Sequence, residues 1–301
     1  MKVLAAVVTH DRKALLSRCL DHLLGQSRKP DQILVINNGS TDGTGEMLQQ
    51  RGIGSITQPN VGSAGGWARA IQYALDEGFD AVWLMDDDGF PERQALATLV
   101  PCLADDVACV SSIVVREDDP AKFVFPFPML NSRRLPVLFA TKRKVAAVNE
   151  LQALAGDGTY DFAHLFNGAL VNIRAARAVG NVNADFFMYG DEVDYLIRLR
   201  KFGAVRSVLN ALHYHPDVTT RPYTPKSIYY YLKNTLILNR RYFDQFVLRD
   251  VATIAVVLWR TSRRNGFLTA LKYIAGGSNR VLYRAIARGW AGAVGRDHEY
   301  S

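Results

Sequence analysis

A chain of 301 residues is long enough for one large α/β domain with an appendage, and its balance of 49% hydrophobic to 22% charged residues excludes bulk disorder. The net charge of +7 suits an anionic partner, whether a nucleotide, a nucleic acid or a membrane surface. Three cysteines (Cys19, Cys102, Cys109), without CxxC or Cys/His zinc spacing, read as buried thiols of a reduced, cytosolic chain. Residues 3–8 are a first buried strand, too short an apolar run for a signal peptide. Leu15, Leu16, Cys19, Leu20, Leu23 and Leu24 keep helical spacing up to Arg28-Lys29-Pro30. Residues 32–36 form a second strand that closes in the turn-rich run Asn37-Asn38-Gly39-Ser40-Thr41-Asp42-Gly43. A short helix over 43–51 and a strand over 53–57 lead to the glycine-rich loop Asn60-Val61-Gly62-Ser63-Ala64-Gly65-Gly66. A helix over 67–77 follows, then the strand 81–84, which runs into Asp86-Asp87-Asp88-Gly89.

This alternation predicts a doubly wound, mostly parallel sheet with every polar loop on one edge, the ligand edge. A helix over 91–103 and a strand over 107–115 continue it. Residues 116–149, rich in Pro, Phe and basic residues, read as a long loop or insertion flanking the site. A strand over 165–173, a short helix over 174–179, a helix over 192–202 and a strand over 205–214 complete the α/β part. From residue 224 the pattern is helical only, with further helices over 246–263 and 267–288. The expected division is therefore an α/β domain over 1–223, with halves 1–115 and 116–223, and a helical region over 224–301.

Three adjacent carboxylates repel one another unless a cation sits among them, so the triplet reads as a Mg²⁺ or Mn²⁺ site or else as a solvated acidic turn. Asn60–Gly66 offers close backbone approach and helix N-terminal N–H groups to phosphate, yet it is neither GxGxxG nor a Walker loop. The amides and hydroxyls of 37–42 suit a base or ribose, or a capping turn. Arg12 suits a phosphate. Asp191 and Glu192 open a helix, where carboxylates favour the dipole. His213 or His215, after a strand, would complete a metal site. Trp67, Asn167 and Gly168 are expected beside the ligand pocket. The run Tyr229-Tyr230-Tyr231 reads as core packing rather than as a sugar platform.

Taken in order, Val7-Val8-Thr9-His10-Asp11-Arg12, residues 35–44, residues 60–66 and Met85-Asp86-Asp87-Asp88-Gly89 resemble the successive signatures of family 2 glycosyltransferases, and Phe186–Tyr195 with Arg198 extends the match. The resemblance implies a GT-A fold (Rossmann-like, flanked by helices) and an inverting enzyme using a nucleotide-diphosphate sugar. It implies donor contacts from Thr9, Arg12, Asn37, Asp42, Asn60, Gly65, Gly66 and Asp86, with Asp87 and Asp88 at the metal. Glu192 matches the family's base position, with Asp191 second. Asparagine at 37, where aspartate is usual, blurs which base is bound. The triple aspartate with Ala-Gly-Gly-Trp is most similar to galactofuranosyl and rhamnosyl transferases of bacterial polysaccharide assembly. UDP-galactofuranose or another UDP- or dTDP-sugar would then be the donor, and a glycan or lipid-linked molecule the acceptor.

The rival readings are a nucleotidyltransferase, a silent sugar-nucleotide binder and a nucleic-acid-binding protein. The last lacks any basic-aromatic binding module, so no nucleic-acid partner is expected. The helical tail carries Arg260, Arg263, Arg264, Lys272, Arg280, Arg284 and Arg288 among apolar residues. It reads either as a peripheral contact with the inner leaflet of the cell membrane or as a helical subdomain open to oligomer contact.

Overall fold

The computed structural model describes the chain apart from residues 139–141, 219–220, 222, 276–279 and 301. In chain order its elements are β1 (Val3–Thr9), α1 (Lys13–Leu24), β2 (Gln32–Asn37), α2 (Thr44–Gln50), β3 (Gly54–Thr57), α3 (Gly62–Asp76), β4 (Ala81–Asp86), β5 (Phe90–Pro91), α4 (Ala95–Leu99) and β6 (Val107–Arg116). Then come β7 (Lys122–Pro128), β8 (Lys144–Ala147), α5 (Val148–Leu154), β9 (Thr159–Tyr160), β10 (Asn167–Asn172), α6 (Ile173–Val179), α7 (Asp191–Leu199) and β11 (Ala204–His215). The last four are α8 (Pro225–Tyr242), α9 (Phe246–Asn265), α10 (Phe267–Ala275) and α11 (Val281–Trp290).

The central sheet has the order β3-β2-β1-β4-β10-β6-β11-β5. Neighbours among β1–β4 are parallel, as are β6 and β11, whereas β10 runs antiparallel to β4 and β6. Alternate side chains of the inner strands feed two different layers, as a period of two demands. Leu4, Ala6, Val8, Leu34 and Leu84 pack with α3, α6 and α7. Val3, Ala5, Val7, Val35 and Trp83 pack with α1, α2 and α4. Strands covered on both faces read as unbroken apolar runs, which is why 3–8 and 81–85 stand out in the sequence.

This arrangement gathers Thr9, Asn37, Asp86 and His215, the last residues of four strands, on one edge, and reversed β10 brings its first residue, Asn167, to the same edge.

Three predicted boundaries need correction. The helix expected from residue 67 begins at Gly62, so most of the glycine-rich loop is helix. Its glycines serve packing: a Cβ on Gly66 would lie 2.5 Å from Val8 Cγ1 and 3.2 Å from Asn38 Nδ2. Gly66→Ala is therefore expected to lower unfolding stability by about 1–3 kcal/mol, read by urea denaturation. The helix expected over 91–103 is interrupted: Phe90–Pro91 pairs with β11, and α4 is short, passing into a tight turn at Pro101. Residues 116–149 are not structureless, since β7 and β8 form a hairpin whose Phe123, Phe127 and Val145 close a small core with Leu151 of α5. The prolines of β7 hid its alternation. Of the single helix predicted over 267–288, residues 276–279 lie outside the described residues, and α10 and α11 flank them.

Candidate functional site

The edge is built around the end of β4. Asp87 and Asp88 are buried, which is costly for charge unless partners are supplied. The Thr9 hydroxyl donates to Asp87 Oδ2 (2.7 Å). Arg12 Nη1 donates to Asp87 Oδ1 (3.0 Å) and Asp88 Oδ2 (3.1 Å), so one guanidinium nitrogen bridges both carboxylates. His215 Nε2 lies 3.0 Å from Asp88 Oδ1, and Arg221 Nη1 approaches Asp88 Oδ2 at 3.5 Å.

These surroundings make the three aspartates chemically different. Burial would raise Asp88, but the hydrogen bond and charge of His215, then Arg12 and Arg221, hold it well below the usual carboxylate range. Asp87 is raised, because burial outweighs Arg12 and Thr9. Asp86 is pushed well above its ordinary value, by burial first and then by the charges of Asp88 and Asp87. Only Asp88 is held firmly as an anion.

Whether these residues fit a divalent cation can be tested on His215. Its Nδ1 lies 2.7 Å from the Pro216 carbonyl oxygen, which only accepts, so Nδ1 carries a proton. Nε2 then donates to Asp88 Oδ1, and a divalent cation that displaced that proton would meet the Nε2 lone pair and the carboxylate oxygen together, so the pair fits a shared cation. Two ligands at about 2.1 Å on adjacent corners of an octahedron lie about 3.0 Å apart, which matches the observed pair. Among the described residues, no three His, Cys, Asp or Glu side chains form a closed cage. A cation held by one or two carboxylates and completed by substrate phosphates needs none. His213 does not share this position. It is fully buried with neither ring nitrogen hydrogen-bonded, and burial lowers it to about 3. It is wedged between Gly89 and Gly168, where added Cβ atoms would lie 2.3 Å and 3.0 Å from its two ring nitrogens.

Opposite the aspartates stands the start of α7. Glu192 is raised to about 7, by burial first, against the Leu165 N–H that donates to its Oε1 at 2.7 Å. Its side chain is still 34% exposed. Asp191 is buried and raised to about 6, and its Oδ2 has no hydrogen-bond partner. The two centres are joined through two consecutive residues: Leu165 N–H bonds Glu192, and Phe166 C=O accepts from Asp86 N–H at 2.8 Å. A carboxyl that can take a proton near neutral pH is thus coupled to a buried carboxylate cluster.

The loops around this pair are less free than their composition suggests. Asn37 Oδ1 accepts from Ser40 N–H, and Asp42 caps two helices by accepting from Lys13 N–H and from Thr44. Asn60 Oδ1 accepts from Gly62 N–H at the head of α3. Gly65 sits under Val61 and Gly66 under Val8, so neither presents bare backbone to a ligand. Trp67 is buried and stacks on Phe166, with ring centroids 4.5 Å apart. It supports the Leu165–Phe166 bridge rather than lining a pocket. Asn167 Oδ1 is buried without a partner, and Gly168, at φ 90°, carries the bulge that re-aims this strand end.

The pattern of Glycosyl transferase family 2 matches residues 5–150. The galactofuranosyltransferase GlfT1 of Mycolicibacterium smegmatis is 36% identical over 221 residues, covering 71% of this chain and 70% of its own. Its Mycobacterium tuberculosis counterpart is 36% identical over 227 residues with the same coverage. The chain belongs to glycosyl transferase family 2. It is a glycosyltransferase of GT-A fold with galactofuranosyltransferase relatives. Among solved structures, the mannosyltransferase PcManGT of Pyrobaculum calidifontis, in complex with GDP-Man and Mn²⁺, matches 99% of this chain and 81% of its own at TM-score 0.58 and 16% identity. GalNAc-T7 with UDP, GalNAc and Mn²⁺ matches 93% and 58% at TM-score 0.61 and 12% identity. Both likenesses concern the fold.

Three residues of the transferase's site escaped sequence reasoning. His164 donates from Nε2 to Phe125 C=O (3.1 Å) and faces Glu192 Oε1 through Nδ1 at 3.9 Å. Burial lowers it to about 4, so it is a neutral neighbour. Arg221 reaches Asp88 from 133 positions away. Asn234 of α8 donates through Nδ2 to the carbonyls of Phe186, Met188 and Tyr189 (2.8–3.0 Å). It clamps a loop in which Phe187 and Tyr189 have positive φ, immediately before Asp191. The other side of that loop is held by Ala64 N–H, which donates to Phe187 C=O. No periodicity marks an asparagine inside an aromatic helix as a clamp. Asn234→Ala leaves buried carbonyls unpaired and is expected to lower stability by about 1–3 kcal/mol, measured by chemical denaturation.

Proposed function

We propose that this transferase is a metal-dependent inverting enzyme. It moves a sugar from a nucleotide-diphosphate donor, UDP-galactofuranose or another UDP- or dTDP-sugar, to a glycan or lipid-linked acceptor in cell-surface polysaccharide synthesis. The observation that carries this reading is the Leu165–Phe166 bridge, which ties a proton-accepting Glu192 to the Asp86–Asp88 cluster. Single-displacement transfer needs those two functions side by side: a base on the acceptor hydroxyl and charge stabilisation at the departing diphosphate.

Residues 1–223 act as the catalytic unit, with a donor half over 1–115 and an acceptor half over 116–223. Residues 224–301 buttress it and face the inner side of the membrane. Asp87, Asp88 and His215 would hold Mn²⁺ or Mg²⁺, and the Mn²⁺ bound by two neighbours of the same fold supports that choice. The bound cation supplies charge neutralisation at the diphosphate. Arg12 and Arg221, already converging on Asp88, place two further positive charges where the leaving group would lie. Asp86 orients the ribose or sugar. Glu192 removes the acceptor proton, and Asp191 beside it stands second as a base. The amides at the ends of β2 and β10 flank the donor and the acceptor respectively.

A panel of sugar nucleotides read by thermal shift tests this. The true donor should raise the melting temperature only with Mn²⁺ or Mg²⁺, by a stabilisation of about 2.7 kcal/mol at one hundred times its Kd. Stabilisation by a nucleoside triphosphate with pyrophosphate release would instead favour a nucleotidyltransferase.

A further inference from the structure

α9 is apolar on two sides. One side is accounted for by the fold: Val257, with Ile254 and Leu258, packs into the cluster formed by α8. The other is not. Leu248, Val251 and Trp259 recur at helical spacing along a solvent-facing stripe, with Trp259 59% exposed. α10 adds Phe267, Leu268 and Leu271, with Leu268 74% exposed. Soluble monomers rarely expose apolar residues in such continuity. Cations border the stripes. Arg263 lies over the Trp259 ring at 5.6 Å and Lys272 follows on α10, while Arg264 turns to the other face, over the Tyr223 ring at 5.4 Å. Among the described residues, none of these three has a carboxylate within ion-pair distance.

From this surface we infer that α9 and α10 lie in the headgroup region of an anionic lipid bilayer, apolar stripe inward and basic residues toward lipid phosphates. Among the described residues no helix is long and apolar enough to cross a membrane, so the contact is in the plane. Charge selects lipid over a second copy of the chain. A two-fold contact through this face would bury a basic surface against a like-charged copy of itself, whereas anionic headgroups attract it. The surface is independent of which sugar is transferred.

The test is sedimentation of the full chain with phosphatidylcholine vesicles, with and without phosphatidylglycerol. Binding should require the anionic lipid and weaken as salt rises. Neutralising Arg263 and Lys272 together should weaken it about thirtyfold. A triple variant Leu248→Ser, Trp259→Ser, Leu268→Ser should weaken it at least about tenfold. Sugar-nucleotide binding, measured in the same variants, should be unchanged, which shows that they fold. Vesicle binding that is unaffected by both variants, or equal on zwitterionic vesicles, would overturn the inference. So would a chain that ignores vesicles but sediments as a dimer until the serine variant makes it monomeric.

Discussion

Glu192→Gln is expected to lower kcat for sugar transfer by about 10²–10⁴-fold, the range that a positioned general base contributes. Donor affinity should change little, because Gln keeps an oxygen for Leu165 N–H and Glu192 stands apart from the Arg12–Asp88–His215 cluster. Wild-type kcat should also fall as pH drops below about 7, where the base takes up its proton, and level off above. The variant should lose that limb. The stability consequence has the opposite sign. The folded-state value of about 7 lies above the ordinary glutamate value, so folding resists ionisation. The contribution is present below the ordinary carboxylate range and lost as pH rises through about 7. Glu192→Gln should therefore raise the melting temperature at pH 8 and leave it nearly unchanged at pH 4. An unaltered kcat in the variant would remove Glu192 from the chemistry.

Asp88→Ala should weaken metal-dependent donor binding at least about a hundredfold, since even outer-shell partners of metal ligands typically contribute about 10–100-fold. Asp88 is the only one of the three aspartates held well below the carboxylate range, and it meets Arg12, Arg221 and His215 at once. Without it the two guanidinium groups lose a shared anion, and His215 Nε2 loses its partner. Isothermal titration of Mn²⁺ with donor, compared with donor alone, reads the effect. The variant should lose the difference between the two titrations, whereas Asp87→Ala should retain part of it. Equal Mn²⁺ dependence in Asp88→Ala and wild type would move the cation elsewhere.

The ligand edge was legible because local signals agreed with the global fold. Residues 3–8 and 81–85 are apolar on both faces, which marks central strands, and each is followed by polar residues that can lie only on the strand-end edge. The same logic placed Asp86–Asp88 on that edge, whereas Asp191 and Glu192, which no strand runs into, were found through the family resemblance. What stayed hidden depended on contacts distant in sequence. Gly66 looked like a ligand-approach glycine, but its missing Cβ makes room for Val8, and nothing local separates those two needs. Trp67 looked like a pocket wall, and only the position of Phe166 puts it in the core. His213 and His215 were indistinguishable in sequence, because both point to one face of β11. The Pro216 carbonyl and Asp88 hold the His215 ring at the carboxylate cluster, while Gly89 and Gly168 enclose His213. The β7–β8 hairpin was masked by prolines that a strand near a sheet edge tolerates.

The most direct test of the whole account is the stereochemistry of the product. The enzyme is incubated with Mn²⁺, UDP-galactofuranose and a galactofuranose-bearing acceptor, and the new linkage is read by NMR. One displacement driven by Glu192 predicts an anomeric configuration opposite to that of the donor, with product formation abolished by chelator. A product with the donor's configuration retained, or transfer that proceeds undiminished in chelator, would contradict it.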